Sequence, residues 1–517
     1  MNKKRLMINM IAGFVAFGVN MGISFILSPY IIKTVGIEAY GFVGLVNNFV
    51  MYASLLTIAL NSMAGRFITI KIHEHDFEGA NKYFYSVLIA NSFMAIVLLL
   101  TSTFVVLFIH KLVNIPSDIL TDIQILFAFS IINFIVSIFV STFSVATFVK
   151  NKLYLNSLRN IESQIIRSVL LFSLFMFFKP RVFYIGLSAL VVTIYLAVFH
   201  VYYTKKLLPE IKLSKKYFDF GAIKELVSSG IWNTLSQLSS ILSTGLDLLI
   251  ANLFVGAVAM GTLSIAKTLP ILILSVFGMM AGIFSPQLTE SYAKGDIREI
   301  KKQLITSIKL LGMLTSIPMS ILFIFGDSFY ALWVPSQNAM TLQSLSMVCC
   351  ASLVFALPIE GLWNVFTVTN KIKTSSLFIL VNSVLTIAVV IISMRFASSP
   401  MHRIFIIAGV STIFGLFRSL VFLPLYGAKC LDFKWHTFYP YIIKNTLAII
   451  ILCILSFTLK QFLNVNSWII LIFVCVITAL MGFVLNYFII LAKEDRLTLL
   501  SIIQRKLKLT KGDLSNE

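Results

Sequence analysis

Acidic residues are scarce in this chain. Asp and Glu together number 21 among 517 residues, and all charged residues make up only 12% of the sequence. Soluble domains carry about a quarter of their residues as charged side chains, because a water-facing surface needs them. The scarcity of charge, with a hydrophobic fraction of 58%, excludes a soluble protein and predicts an integral membrane protein.

Cysteine and histidine are also few, at five and six residues. The cysteines show no spacing typical of metal or redox sites, so we expect no disulfide and no bound metal. The sequence contains no Gly-x4-Gly-Lys-Ser/Thr loop, no His-Glu-x-x-His and no Gly-x-Ser-x-Gly. These absences disfavour an ATPase, a metalloprotease and a serine hydrolase. We therefore predict that the chain is not an enzyme and that it uses no cofactor.

The net charge of +20 does not indicate a nucleic-acid partner, because the basic residues are unevenly distributed. With the N-terminus placed inside, the inner loops and tails hold 29 of the 41 Lys and Arg, and the outer loops hold six. This bias is typical of membrane proteins, whose cytoplasmic loops are basic. It predicts that both termini are cytoplasmic and that the basic loops contact anionic membrane lipids.

Long apolar stretches follow one another from end to end. A helix needs about 20 apolar residues to cross the hydrocarbon of a bilayer, and these stretches lack the alternation of barrel strands. The sequence therefore predicts an all-α integral membrane protein with about 14 transmembrane helices. The predicted spans are 8–32, 40–65, 83–109, 123–149, 161–178, 182–203, 226–254, 260–285, 304–325, 339–366, 375–396, 404–426, 438–459 and 468–491.

The first six spans resemble the next six at an offset of about 220 residues. Each match is short, but the matches share one offset and occupy equivalent positions between spans. They are Val35-Gly36 with Val255-Gly256, Ala39-x-Gly41 with Ala259-x-Gly261, Asp76 with Asp296, Lys82 with Lys302, and Val149-x-Asn151-Lys152 with Val368-x-Asn370-Lys371. Two similar halves are typical of a carrier whose site lies between them.

The repeat predicts two six-helix bundles followed by two extra helices. The bounds are 1–203 for the N-terminal bundle, 204–225 for a cytoplasmic linker, 226–426 for the C-terminal bundle, 427–491 for the two additional transmembrane helices and 492–517 for a cytoplasmic amphipathic tail. The outer loops are all short, which argues against a domain on the outer face.

Charged residues inside the spans are the first candidates for a functional site, because a charge at bilayer depth is costly unless it faces a partner or a cavity. Asp247 and Lys267 fall at similar depths of neighbouring spans, so they are expected to form an ion pair, either structural or cavity-lining. Arg418 is the best candidate for an anion contact, and Glu360 either pairs with it, carries a proton or lies at the interface. Arg167 either snorkels to the inner surface or binds ligand.

Polar uncharged residues form stripes on the first helix of each repeat. Asn20 belongs to the stripe of span 1, Asn47 lies in span 2, and Asn233 and Gln237 belong to the broad stripe of span 7. Such stripes either face a wet interior or hydrogen-bond between helices. A hydrophilic cavity with walls from both repeats would suit the hydroxyl groups of sugars.

Three loop motifs carry a resemblance to a known family. They are Val35-Gly36-Ile37-Glu38-Ala39-Tyr40-Gly41, then Gly326-Asp327 followed by Leu332-Trp333-Val334-Pro335, and Asn370-Lys371-Ile372-Lys373. With the repeat and the two extra helices, the chain resembles the oligosaccharide flippases of the polysaccharide transporter family. That superfamily also holds the lipid II flippase and the multidrug and toxin extrusion transporters.

The resemblance implies a flippase that works by alternating access in the bacterial cytoplasmic membrane. Its cargo would be an undecaprenyl-pyrophosphate-linked oligosaccharide for capsule, O-antigen or exopolysaccharide, with H⁺ or Na⁺ as a possible coupling ion. Polysaccharide polymerase and co-polymerase proteins would be its partners. The alternatives are a cation-coupled multidrug exporter, which would want acidic residues in spans 1 and 2, and a membrane enzyme of envelope assembly, which the short outer loops disfavour.

Overall fold

The chain folds into helices joined by short connections. The computed structural model describes residues 3–397, 399–491 and 496, and no strand occurs among them. In a bilayer no water is available to bond the backbone, so an apolar chain must satisfy its amide and carbonyl groups within its own helices. The predicted all-α membrane fold is confirmed. The predicted tail, 492–517, lies outside the described residues apart from Arg496.

The first half of the chain contains six long helices and one short outer turn of helix. The elements are α1 (Lys3–Val35), α2 (Ile37–His73), α3 (Phe77–Leu107), α4 (Ile109–Leu112), α5 (Leu120–Val149), α6 (Leu153–Phe177) and α7 (Phe183–Leu207). The helices are up to 37 residues long, more than the hydrocarbon requires, so they extend beyond the predicted spans.

The second half repeats this series with more interruptions. Its elements are α8 (Phe220–Ser240), α9 (Asp247–Phe254), α10 (Ala257–Gly282), α11 (Ser285–Ala293), α12 (Ile297–Trp333), α13 (Ala339–Ala351), α14 (Leu353–Ala356), α15 (Trp363–Val368), α16 (Ile372–Met394), α17 (Pro400–Phe417), α18 (Leu423–Cys430), α19 (Tyr439–Phe462) and α20 (Trp468–Ile489). Breaks within the seventh, tenth and twelfth predicted spans divide them into shorter pieces.

Thirteen helical segments of the described residues are long and apolar enough to cross a membrane. The predicted seventh span, 226–254, is the one outside this set. It is helical, but a π-turn at Ile241–Gly245 separates α8 from α9, and the polar stripe lowers its hydropathy. With this segment the helices account for the fourteen predicted spans.

The backbone shows the repeat more clearly than the side chains do. Residues with positive φ, which are uncommon apart from glycine, occur at equivalent connections of both halves. The pairs are Gly36 (φ 89°) with Gly256 (φ 127°), His75 (φ 58°) with Gly295 (φ 70°), and Asn151 (φ 51°) with Asn370 (φ 55°). Each pair is separated by the offset found in the sequence, so the same turns end the same helices.

The repeated aspartates perform the same local task. Asp76 and Asp296 are the N-caps of α3 and α12, and each carboxylate accepts a hydrogen bond from the backbone amide three residues later, at Gly79 and Glu299. An aspartate at this position bonds amides that the first helical turn leaves unsatisfied. The matched aspartates, which lie between spans 2 and 3 and between spans 8 and 9, are therefore helix caps.

Contacts between Cα atoms group the chain into two compact units. One comprises Met1–Ile265 and Ser376–Ile407, and we call it unit 1; the other comprises Ala266–Ser375 and Ala408–Glu517, and we call it unit 2. The sequence predicted five segments with boundaries at 203, 225, 426 and 491. These segments follow the repeat along the sequence, and they stay a prediction.

Unit 1 is held together by apolar clusters and by glycines that allow close helix approach. One cluster joins α2, α3 and α5 through fully buried residues such as Ile68, Phe84 and Ala146. A Cβ atom added to Gly230 of α8 would lie 1.9 Å from the carbonyl oxygen of Ala59 in α2. The two backbones are therefore in contact, as is usual where small residues line helix interfaces in membranes.

Unit 2 has its main core where α12 crosses the broken helices. Buried residues of this core include Leu304, Ile308, Leu362 and Phe366. Asn486 of α20 adds a polar contact, since its amide donates to the Ser316 hydroxyl at 2.8 Å and to the Met313 carbonyl at 2.9 Å. The two extra helices thus pack on α12.

We predict that Gly230→Ala destabilises the protein, because the new methyl group must push α8 away from the Ala59 carbonyl. Overpacking of this kind costs about 1–3 kcal/mol, and the melting temperature of the detergent-solubilised protein should fall by several degrees. Gly278→Ala is the matched control, since nothing lies within 4 Å of a Cβ there, and it should be neutral or slightly stabilising. Equal effects of both substitutions would contradict the close contact.

Candidate functional site

The polar stripe predicted on the first helix is a connected line of hydrogen bonds in unit 1. The Ser24 hydroxyl donates to Asn20 Oδ1 at 3.4 Å, and the Ser28 hydroxyl donates to the Ser24 carbonyl at 2.8 Å. Tyr40 of α2 donates to the Ser28 hydroxyl at 3.2 Å. Asn20 and Ser24 are exposed on α1, so the line presents polar groups on an outer face of unit 1.

The second helix supports the break in span 7. In the π-turn the Gly245 carbonyl accepts two hydrogen bonds from α2, one from Asn48 Nδ2 at 2.7 Å and one from the Tyr52 hydroxyl at 2.6 Å. Asn47, which precedes this anchor, is exposed. Asp247 starts α9 directly after the turn; it is buried and interacts electrostatically with Tyr52. The bend of this helix is thus fixed by side chains of its neighbour.

Much of the polar stripe on α8 is used in helix packing. Asn233 donates to the Ser62 hydroxyl of α2 at 3.1 Å. On the α16 side, Ser236 bonds the Ser376 hydroxyl at 2.7 Å, and Ser239 donates to the Ser376 carbonyl at 3.0 Å. Gln237, on the same helix, is half-buried. Of the two roles expected of this stripe, hydrogen bonding between helices accounts for Asn233 and the two serines.

Arg167 lies in the interior of α6, and its predicted role, snorkelling or ligand binding, stays a prediction. The predicted fifth span begins at residue 161, but α6 begins at Leu153 and ends at Phe177. Arg167 is therefore fourteen residues from one end and ten from the other, about 21 and 15 Å at 1.5 Å per residue. Its Nε atom is buried without a hydrogen-bond partner, and none of the described residues forms an ion pair with it.

A cluster between α6 and α7 was not singled out from the sequence. Arg159 Nη1 lies 2.6 Å from Glu162 Oε2 and 3.3 Å from the Tyr195 hydroxyl, which also donates to Glu162. The Arg159 guanidinium stacks 4.4 Å from the centre of the Phe199 ring. The i,i+3 spacing of Arg159 and Glu162 was a readable signal, but the predicted span began at 161 and left Arg159 in a loop.

In unit 2 the charged candidates lie at irregular backbone. Glu360 belongs to the 3₁₀ turn Leu357–Leu362, and Arg418 is the first residue of a π-turn that ends at Phe422. Both side chains are half-buried, and they interact electrostatically with each other. The structure thus brings together the two residues that the sequence proposed as a pair. π-Turns inside helices occur frequently at functional sites.

Lys267 lies on α10, three residues before Pro270, and is half-buried. It belongs to unit 2, whereas Asp247 belongs to unit 1. The ion pair expected between them stays a prediction. By the repeat offset, Lys267 is the counterpart of Asn47, so this position carries a polar residue in both halves.

The two extra helices form an open apolar groove within unit 2. Its volume is about 540 Å³, and it is lined by Leu455 of α19 and six residues of α20, among them Leu480, Val484 and Phe488. The lining carries almost no polar surface. A groove of this composition suits a hydrocarbon chain and has nothing to offer a sugar.

Comparison with known proteins adds a family. The sequence profile described as "Polysaccharide biosynthesis protein" matches residues 6–292. Over 505 residues the chain is 28% identical to the "Uncharacterized membrane protein EpsK" of Bacillus subtilis (strain 168), and the match covers 98% of both chains.

Solved structures share the fold. The lipid II flippase MurJ, in its inward closed conformation, matches with a TM-score of 0.64 at 15% identity, covering 93% of this chain and 99% of that one. An inward-facing multidrug resistance MATE transporter of the MOP superfamily matches with a TM-score of 0.63 at 14% identity, covering 83% and 98%. These likenesses show the fold, and the predicted family is confirmed by the profile match over residues 6–292.

We predict an energetic coupling between Arg159 and Glu162. In a double-mutant cycle of Arg159→Gln and Glu162→Gln, unfolding in mixed detergent should give a coupling of about 0.5–1 kcal/mol. The value is expected at the low end because the Glu162 side chain is 39% exposed. The same cycle on Lys71 and Glu74, an exposed pair outside the membrane, should give no measurable coupling. Strict additivity at both pairs would refute the prediction.

Proposed function

This chain belongs to the family of polysaccharide biosynthesis proteins, and from that membership we propose that it is a flippase for a lipid-linked oligosaccharide. It carries undecaprenyl-pyrophosphate-linked repeat units from the inner to the outer face of the bacterial cytoplasmic membrane. The product supplies capsule, O-antigen or exopolysaccharide. Transport proceeds by alternating access of the two repeats, without chemical change of the cargo, so the protein is not an enzyme.

Arg167 is the observation that carries the proposal. A guanidinium group near the middle of a membrane helix is costly unless an anion compensates it, and no described residue supplies one. Pyrophosphate matches the planar fork of hydrogen-bond donors on arginine. A polyprenyl-pyrophosphate cargo would bring the missing negative charge into the membrane at the moment of transport.

The other candidate residues fit a cargo with three chemically different parts. The hydrogen-bonded line of Asn20, Ser24 and Ser28 offers donors and acceptors for sugar hydroxyls. Arg418, beside Glu360, and Lys267 supply further cationic groups that would meet the pyrophosphate. The groove between α19 and α20 suits the polyprenyl tail, which would stay in an apolar environment while the head group crosses.

The MATE likeness makes a cation-coupled multidrug exporter the alternative. Cationic drugs require carboxylates to bind them, but α1 contains no Asp or Glu, and the only acidic residue of α2 is Glu38 in its first turn. An uncompensated Arg167 would repel a cationic drug. Transport of an anionic amphiphile is therefore the better interpretation.

The coupling ion, H⁺ or Na⁺, would act at Asp247, Glu162 or Glu360. The polymerase and co-polymerase proteins would receive the flipped product.

Removal of the protein tests the transport direction. In cells lacking it, completed lipid-linked repeat units should accumulate on the inner leaflet, and the surface polymer should be lost. The measurement is extraction and mass analysis of the polyprenyl-linked sugars, with leaflet location assigned by a membrane-impermeant reagent. Normal units and normal polymer in cells with no second flippase would refute the proposal.

Arg167 is predicted to be required for transport of the pyrophosphate. Arg167→Gln removes the charge and should reduce surface polymer at least tenfold at equal protein abundance. Arg167→Lys, which keeps the charge but loses the fork, should retain an intermediate level. Lys179→Gln removes an exposed positive charge just beyond the end of the same helix and should have no effect. A normal level of surface polymer with Arg167→Gln would exclude this role for Arg167. The flippase proposal itself would then depend on the deletion experiment.

A further inference from the structure

A cationic cavity lies at one end of unit 2, and none of the charged residues discussed above lines it. It encloses about 400 Å³ where the start of α12 meets the loop before α19, and its polar surface exceeds its apolar surface. The basic loops assign this end of the unit to the cytoplasmic side. Its walls are formed by Lys301 of α12, by Lys434 and His436 of the loop, and by Tyr441 of α19.

The charged groups around this cavity are not paired with one another. Lys301 and Lys434 form no ion pair with any described residue, although Asp432 also lines the cavity. Lys301 instead lies 5.7 Å from the centre of the Phe433 ring. Two ammonium groups and an imidazole therefore remain available to a ligand, against one carboxylate. This excess of positive charge favours an anion that is small enough to lie between α12 and the loop before α19.

The first turn of α19 adds to the positive potential. The helix is 24 residues long, starts at Tyr439 with Pro440 in its first turn, and has no side-chain cap. The N-terminus of a helix carries a partial positive charge and favours anions. Thr437, Pro440 and Tyr441 line the cavity, so this helix end opens directly into it.

Aromatic residues indicate that the cavity lies at the lipid surface. Trp435, between the two loop residues that line the cavity, is 67% exposed and stacks edge-on with His436 and Tyr439. About two turns beyond Lys301 on α12, Lys309 lies 5.6 Å from the Tyr441 ring. Tryptophan and tyrosine concentrate at the head-group level of membranes, where phosphate is the prevailing anion.

We propose that this cavity is a binding site for the phosphate head group of an anionic phospholipid of the cytoplasmic leaflet. Lys301 and Lys434 hold the phosphate, the dipole of α19 adds to the positive potential, and Trp435 lies beside the acyl chains. Basic pockets between membrane helices on the cytoplasmic side are suited to such lipids. The site is separate from the proposed transport function and does not depend on it.

The test is native mass spectrometry of the full chain in mild detergent, titrated with phosphatidylglycerol or with phosphatidylcholine. The unmodified protein should bind phosphatidylglycerol in preference to phosphatidylcholine. The pair Lys301→Gln and Lys434→Gln should weaken that binding about 25-fold, since each lysine near anionic lipid contributes roughly fivefold. Asp432→Asn should strengthen it; asparagine tolerates the left-handed backbone found there, φ 54°.

The matched control is the pair Lys302→Gln and Lys429→Gln, which removes the same charge from the same helix and from the segment just before the loop without touching the cavity. It should bind as the unmodified protein does, and so should Lys301→Arg with Lys434→Arg. Equal loss in both glutamine pairs, or equal binding of both lipids, would overturn the site. Displacement of phosphatidylglycerol by millimolar inorganic phosphate would show a site for free phosphate and overturn the lipid assignment.

Discussion

The absence of water from the bilayer interior is the constraint on which this structure depends. Every backbone group in the hydrocarbon must find its partner within the protein, so long helices are the default and each departure from a helix has to be compensated. The π-turn in span 7 illustrates the rule. It releases the Gly245 carbonyl, and two side chains of α2 bond that oxygen. The break is tolerated because Asn48 and Tyr52 are there, and the same contacts define where the helix bends.

Charges obey the same constraint more strictly. Arg159 is compensated by a carboxylate, a phenol and an aromatic ring, and Arg418 has Glu360 beside it. Arg167 lies eight residues further along α6 than Arg159 and has no ion-pair partner among the described residues. A buried charge without a partner destabilises a protein unless something else supplies the partner during its working cycle. This contrast between the arginines is the reason for proposing that Arg167 serves the cargo.

Sequence reasoning predicted the helices and their repetition, because both leave local signals. Apolar length indicates a span, and the turns that end the spans need particular residues, such as the glycine at position 36 and its partner at 256. The contacts of the site left fewer signals: the spacing of Arg159 and Glu162 could be read, but their partner on α7 could not. That Tyr195 meets Glu162 depends on how α6 packs against α7, thirty-three residues apart in sequence. Hydropathy placed the start of the fifth span at residue 161, whereas α6 begins eight residues earlier, because its first two turns are polar.

The distribution of cations also constrains the chemistry of the cargo. Most lysines and arginines lie outside the predicted spans, where the predicted orientation places them against the anionic lipids of one leaflet. The few that lie at depth cannot serve orientation, since their cost rises with distance from the interface. A carrier for neutral sugars would bear the cost of these buried cations without any benefit to binding. The chain combines cations within its spans, an exposed line of hydroxyls and amides, and a separate groove without polar groups. The proposed cargo, a polyprenyl-pyrophosphate sugar, has an apolar, an anionic and a polar part in succession and would match all three, whereas a cationic drug would not.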